Sequence, residues 1–218
     1  MKIGMITVGQ SPRNDVITEI RDLLGPVEIV ERGCLDELTK KQIETLEPKE
    51  GEPFLVTLLR DGSSVKVSRE KATNLLQQRI KELENKDVTL IVLLCTGDFT
   101  NLKSQKLIIE PGKLIRKIVQ GMLIKEKKLG VIIPSSGQIE QTKKKRGAVD
   151  PVVAVTSPYE NPEQIQQVAK TLLTKNVDLT VLDCIGYTRQ MKQKVKEITG
   201  KPVILSSTVV ARVLRELC

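Results

Sequence analysis

Cys95 and Cys184 stand in near-matching contexts. Cys95 ends the apolar run Leu90-Ile91-Val92-Leu93-Leu94 and opens Cys95-Thr96-Gly97. Cys184 ends Leu179-Thr180-Val181-Leu182-Asp183 and opens Cys184-Ile185-Gly186-Tyr187-Thr188. Each unit is a strand-like run, a cysteine, one residue, then a glycine. A lone cysteine at a strand end commonly packs as a small hydrophobe. A matched pair suggests two similar halves that each place one thiol at a shared cleft. One thiolate can act as general base and the other thiol as general acid. Such a pair takes a proton off one face of a carbon and returns it to the other. That chemistry needs no histidine, and the chain has none.

The neighbours of the two thiols supply candidate binding groups. In open parallel sheets, ligands bind outside the carboxyl ends of the strands. Helix N-termini are expected after both cysteines, with unpaired N–H groups and positive dipole ends. Thr96, Gly97, Gly186 and Thr188 are then placed to hold a carboxylate. Tyr187 either bonds a substrate or fills the cleft mouth. Asp183 either bonds loop N–H groups or tunes the thiol. The loop Gln10-Ser11-Pro12-Arg13 lies at the end of the first strand. Ser11 there is an N-cap or a binding group, and Arg13 is a candidate anion clamp. Ser135 and Ser136, with Gln138, occupy the corresponding loop of the second half. Cys34 and Cys218 lack the cysteine-glycine context, and Cys34 reads as structural. Metal-binding CxxC spacing is absent, so no metal is expected. Gly9 stands alone in its loop, which is neither a GxGxxG nor a P-loop, and no cofactor is expected.

Strand and helix patterns alternate along the chain. Residues 2–8 read as the first strand, and Ser11-Pro12 as the start of a helix. Residues 27–31 are strand-like, and a short helix is expected over 36–46. Strands at 54–59 and 65–67 flank the turn dipeptide Asp61-Gly62, a hairpin signature of the kind that joins antiparallel strands. Ala72, Leu75, Leu76, Ile80 and Leu83 form a helical stripe. Further strands are expected at 88–94, 107–109, 129–133, 152–155, 179–183 and 203–205. Helices are expected from Pro111 (Leu114, Ile118 and Met122 inward), from Ser135 with capping-box spacing to Gln138, from Asn161-Pro162, and from Thr188. Val209, Val210, Val213, Leu214 and Leu217 mark a closing helix. Alternation of this kind means α/β with largely parallel sheets.

A weak internal repeat supports two Rossmann-like halves. Lys2-Ile3-Gly4-Met5-Ile6 matches Lys128-Leu129-Gly130-Val131-Ile132, displaced by 128 − 2 = 126 residues. The cysteine units are displaced by 184 − 95 = 89. The hairpin at 54–67 is therefore expected to be an insertion in the first half. The expected division is 1–110, 111–205 and a closing helix 206–218 that returns to the first half.

The 218 residues carry 35 Lys and Arg against 27 Asp and Glu, a net charge of +8. Only two Tyr, two Phe and no Trp are present. The one dense basic block, Lys143-Lys144-Lys145-Arg146, lacks the stacking aromatics of a nucleic-acid site, so nucleic acid is not an expected partner. A small anionic substrate fits the positive field, and a homodimer is allowed. No run reaches the ~20 apolar residues of a membrane span. The first ten residues read as a strand rather than a signal peptide, and a reducing, cytoplasmic setting with free thiols is expected.

Four segments together resemble the AroM family, related to the aspartate/glutamate/hydantoin racemase superfamily. They are Thr7-Val8-Gly9-Gln10-Ser11-Pro12-Arg13, Leu93-Leu94-Cys95-Thr96-Gly97, Gly130-Val131-Ile132-Ile133-Pro134 and Leu182-Asp183-Cys184-Ile185-Gly186-Tyr187. The resemblance covers essentially the whole chain. It implies two pseudo-symmetric α/β halves with a cleft between them. It also implies that Cys95 and Cys184 match the cysteines used for cofactor-independent racemisation in the wider superfamily. Related members use one cysteine, for isomerisation or decarboxylation of small diacids. Asp183-Cys184-Ile185 departs from the Gly-Cys-Thr of amino-acid racemases. The expected function is a racemase- or isomerase-like enzyme acting beside a carboxylate. The alternative is a non-catalytic carboxylate sensor or regulatory protein on the same scaffold.

Overall fold

The computed structural model describes residues 1–122, 126–146 (backbone alone at 145 and 146), 150–161 and 163–218. Two four-stranded parallel sheets carry the chain. The first half contains β1 (Lys2–Thr7), α1 (Asn14–Leu24), β2 (Glu28–Gly33), α2 (Lys40–Glu44), β3 (Phe54–Leu58), β4 (Ser64–Ser68), α3 (Arg69–Glu84), β5 (Leu90–Leu93), β6 (Leu107–Ile109) and α4 (Pro111–Met122). The second contains β7 (Leu129–Ile133), α5 (Ile139–Arg146), β8 (Val152–Val155), α6 (Gln164–Thr174), β9 (Leu179–Leu182), α7 (Arg189–Thr199), β10 (Val203–Leu205) and α8 (Ser206–Leu217).

The strand orders are β2-β1-β5-β6 and β10-β9-β7-β8. Read from the other edge, the second is β8-β7-β9-β10, so β7, β8, β9 and β10 correspond to β1, β2, β5 and β6. The antiparallel β3–β4 hairpin has no counterpart in the second sheet. Central strands β5, β7 and β9 are buried along their whole length. This is the pattern of parallel strands covered on both faces by helices, and it explains their unbroken aliphatic runs.

Each half sends its last helix to the other sheet. In α4, Ile115 and Val119 pack in a cluster with Leu129, Val131, Leu179, Val181 and Ile204. In α8, Val210, Ala211 and Leu214 pack with Ile3, Met5, Leu90 and Val92. The two crossings tie the halves together through apolar contact.

Several local expectations change. Helix α1 starts at Asn14, with Arg13 at its N-cap and no capping side chain. Ser11 is drawn away because its hydroxyl and N–H both donate to the Asp36 carboxylate, at 2.7 Å each. Helix α2 is shorter than expected, and a Thr39–Gln42 capping box sets its start. The buried side of α4 is Pro111, Gly112, Ile115 and Val119, and Met122 is exposed. The helix lies between two clusters, with Leu114 against one and Ile118 against the other. Leu173 and Leu217 are likewise exposed. After Ser135 the chain makes a 3₁₀ turn, Ser136–Gln138, before α5, and no side-chain cap forms. Gln138 instead donates its amide to the Phe54 carbonyl at 3.1 Å. Asn161 accepts from the Glu163 N–H ahead of α6; Pro162 lies outside the described residues. Of the basic block, the side chains of Lys145 and Arg146 also lie outside them, and Lys143 is 3.9 Å from Glu140. No described helix is long and apolar enough to cross a membrane.

Leu214 is fully buried in the cluster that joins α8 to the first sheet, whereas Leu217 on the same helix is 46% exposed. Leu214→Ala should lower unfolding stability by about 2–5 kcal/mol. Leu217→Ala should change it by no more than about 0.5 kcal/mol. Urea denaturation of both variants checks the packing.

Candidate active site

The same register delivers both thiols. Beyond β5, the Leu94 N–H donates to the Ile6 carbonyl at 2.7 Å; beyond β9, the Asp183 N–H donates to the Ile132 carbonyl at 2.9 Å. Cys95 and Cys184 are each the next residue, at corresponding positions past the sheet. Both are half-buried, and both line one cavity of about 50 Å³.

The glycine two residues on has a specific task. The Gly97 N–H donates to Cys95 Sγ at 3.3 Å, and the Gly186 N–H likewise favours charge on Cys184. Thr96 joins the two loops, its hydroxyl donating to the Asp183 carbonyl at 3.0 Å. That buried bond fixes the residue after one cysteine to the residue before the other.

The β3–β4 hairpin forms a further wall. Leu55, Val56 and Thr57 face the cavity, and the Gln138–Phe54 bond anchors the hairpin to the second half. Gly9 permits this approach, since a Cβ there would lie 2.1 Å from the Leu58 carbonyl oxygen. A wider groove of about 1200 Å³ runs along the outer side of the hairpin. It contains neither thiol and shares Gln141 with the inner cavity.

Arg13 enters the cavity from the first half, almost fully buried. Its Nε and Nη2 donate to the two oxygens of Asp15, at 2.8 and 2.6 Å. Nη1 donates to Thr7 Oγ1 at 3.1 Å, and Nη2 reaches the Tyr159 hydroxyl at 3.4 Å. Burial opposes the charge, but the bonds to Asp15 and Tyr159 outweigh it and hold the guanidinium protonated. As an anion clamp, Arg13 must therefore share its donors with Asp15.

Tyr159 was not marked by the cysteine contexts. It sits in the loop after β8, with its hydroxyl 3.8 Å from Cys184 Sγ. Its ring covers Gly186 so closely that a Cβ there would lie 2.4 Å from the hydroxyl oxygen. Burial pushes the Cys184 thiol above its ordinary range, opposed by the Gly186 N–H, Tyr159 and Arg13. Burial also pushes the Tyr159 phenol up, as does Cys184. Cys34 is fully buried, and burial drives its thiol far up.

Of the residues singled out in the sequence, Cys95, Cys184, Arg13, Thr96, Gly97, Gln138 and Asp183 border the cavity. Gln10, Ser11, Ser135, Ser136, Gly186, Tyr187 and Thr188 are not among its lining residues. Gln10 donates to the Leu35 carbonyl and accepts from the Arg60 N–H, holding the hairpin. Ser11 is bound to Asp36. Ser136 is exposed, and Ser135 precedes the 3₁₀ turn. Tyr187 is a core residue whose hydroxyl donates to the Thr156 carbonyl at 2.7 Å. Thr188 caps α7 by accepting the Met191 N–H. No helix directly follows Cys95; the chain passes through β6 before α4. The lining adds Gln141, Thr142 and Tyr159. Strand correspondence was the available signal for Tyr159, because β8 is the equivalent of β2 and its end must lie on the same rim. Among the described residues, no cluster of His, Cys, Asp and Glu is arranged to hold a metal ion.

The family model described as AroM protein matches residues 3–218. The chain belongs to the AroM family. No curated protein sequence matches it. Among solved structures, the fold is similar to allantoin racemase from Pseudomonas fluorescens, at 12% identity and TM-score 0.63, covering 100% of this chain and 90% of that one. It is similar to glutamate racemase from Aquifex pyrophilus, at 20% identity and TM-score 0.55, covering 100% and 84%. It is also similar to unliganded arylmalonate decarboxylase, at 12% identity and TM-score 0.60, covering 99% and 92%. The AroM chain thus shares the racemase-like α/β scaffold of two parallel-sheet halves.

Gly186→Ala should push Tyr159 off its seat and cost about 1–3 kcal/mol of stability. With two tyrosines and no tryptophan in the chain, the near-ultraviolet circular dichroism should change with it. Chemical denaturation and the dichroism spectrum check the two effects.

Proposed function

We propose that this protein is a cofactor-independent racemase- or isomerase-like enzyme, acting at a carbon beside a carboxylate, with Cys95 and Cys184 as its acid/base pair. One observation carries the reading: thiols from corresponding strands of the two halves border a single cavity. The likeness of the fold to two racemases and a decarboxylase is consistent with it.

In this reading one cysteine, as thiolate, takes the proton from the substrate carbon. Its sulfur becomes the thiol, and the electron pair stays on the substrate as an enolate-like anion. The opposite thiol then gives its proton to the other face and is left as thiolate. Each full turnover conserves protons and charge, and the reverse reaction exchanges the two roles. The Gly97 and Gly186 N–H groups support the sulfur that carries charge. The Gln138, Gln141, Thr142 and Arg13 side chains are among the polar groups that border the space a carboxylate would occupy. Thr96 serves the site by tying its loops rather than by holding substrate. A cavity of about 50 Å³ is well below the roughly 300 Å³ of ordinary ligand pockets, so substrate entry requires the cleft to widen.

The test is solvent deuterium incorporation at the carbon beside the carboxylate, over a panel of small carboxylates first screened by thermal shift. Cys95→Ser and Cys184→Ser should each lower exchange by at least about 100-fold, the lower range for loss of a general acid or base. A carboxylate that binds the unaltered protein without exchange, and binds both serine variants as well, would instead identify a sensor.

A further inference from the structure

Resting on the acid/base reading of the thiols, we propose that Tyr159 is a positioning residue which, oriented by Arg13, donates its phenolic proton to Cys184 Sγ and holds the charge on that sulfur whenever it gives up its proton. The direction follows from the donors. Arg13 has only N–H groups to offer and cannot accept. Its Nη2 lies 3.4 Å from the Tyr159 oxygen, so that oxygen accepts, and the phenolic hydrogen is left for the sulfur at 3.8 Å. Arg13 is itself fixed, by two bonds to Asp15 and one to Thr7. The guanidinium carbon lies 5.8 Å from the centroid of the Tyr159 ring, which adds a cation–π attraction. Close packing on Gly186 leaves the ring little freedom to turn away.

The relay crosses the cleft. Asp15 and Arg13 belong to the first half; Tyr159 and Cys184 belong to the second. Cys184 therefore receives this support only while Arg13 and Tyr159 keep their contact across the two halves. Among the described residues, the charged and titratable groups around Cys184 include Tyr159, Arg13, Asp183 and Tyr187, and Cys95 borders the same cavity. Arg13 and Tyr159 favour the thiolate, whereas Asp183 opposes it.

The experiment follows each cysteine Cβ by nuclear magnetic resonance in isotopically labelled full-length protein as pH is raised. Cys184→Ser assigns the resonance. Tyr159→Phe keeps the ring on Gly186 and removes only the hydroxyl, so the Cys184 midpoint should rise by about one pH unit, with that of Cys95 unchanged. Arg13→Lys should move Cys184 in the same direction by less. An unmoved Cys184 midpoint in Tyr159→Phe, or an equal movement of Cys95, would overturn the proposal. If Tyr159→Phe does not fold, 3-fluorotyrosine incorporated at Tyr159 and Tyr187 gives the converse test. A more acidic phenol should lower the Cys184 midpoint, and no change overturns the assignment. These midpoints need no substrate, so they stand or fall separately from the exchange assay.

Discussion

The site depends on one buried hydrogen bond, from the Thr96 hydroxyl to the Asp183 carbonyl. The two sheets share no strand, so nothing in their ladders sets the spacing of their ends. The Thr96 bond sets it locally, one residue away from each thiol. A buried hydroxyl without its acceptor costs about 1–3 kcal/mol, so the loops are held in this arrangement by the penalty for leaving it. Helices α4 and α8 enforce the same closeness at longer range, because each buries its apolar face on the opposite sheet. Each half also keeps a core of its own, so these crossings add to cores already present.

Within that frame the repeat is close in backbone and loose in side chains. Corresponding ladder bonds place Leu94 and Asp183, and hence Cys95 and Cys184, alike. The glycine N–H at each sulfur is also repeated. The chemistry around the thiols is not. The first half contributes the hairpin wall and Arg13, and the second contributes Tyr159 and the Gln138–Thr142 segment. Two similar backbones thus enclose a cavity whose two sides carry different groups.

Backbone features were the most legible in the sequence. The strands at 107–109, 129–133, 152–155 and 203–205 stand where the apolar runs and their flanking turns put them. The unequal displacements of the two repeats pointed to extra chain in the first half, where β3 and β4 have no counterpart in the second sheet. Helix faces were less legible where a helix meets two clusters. Periodicity cannot tell that Leu114 and Ile115 of α4 serve different cores. Side-chain roles in loops were the least legible. Ser11, Ser135 and Thr188 share the same capping chemistry in sequence, yet Ser11 bonds Asp36, Ser135 caps nothing, and Thr188 caps α7. The competing partners, Asp36 and Phe54, lie far away along the chain. Tyr159 escaped notice for the same reason: only the fold brings it to Cys184.

The size of the cavity bears on which contacts can move. Polar tethers that hold the β3–β4 hairpin near the thiols include Gln138 to the Phe54 carbonyl, the Gln10 N–H to the Leu58 carbonyl, the Arg60 N–H to Gln10, and the Arg60 side chain to Ser11 and Asp36. Each such bond contributes about 0.5–1.5 kcal/mol net, because water replaces it when it opens. Parting the sheets would instead expose Ile115, Val119, Val210, Ala211 and Leu214, all buried. At roughly 1.5–3 kcal/mol for each large aliphatic side chain, that route exposes four such chains, whereas the hairpin buries two, Leu55 and Val67, in the core of the first half. The hairpin face is therefore the side that exposes less apolar surface when a 50 Å³ cavity is enlarged. Entry by this side leaves the Thr96–Asp183 bond intact, so the thiols keep their spacing while the space between them fills.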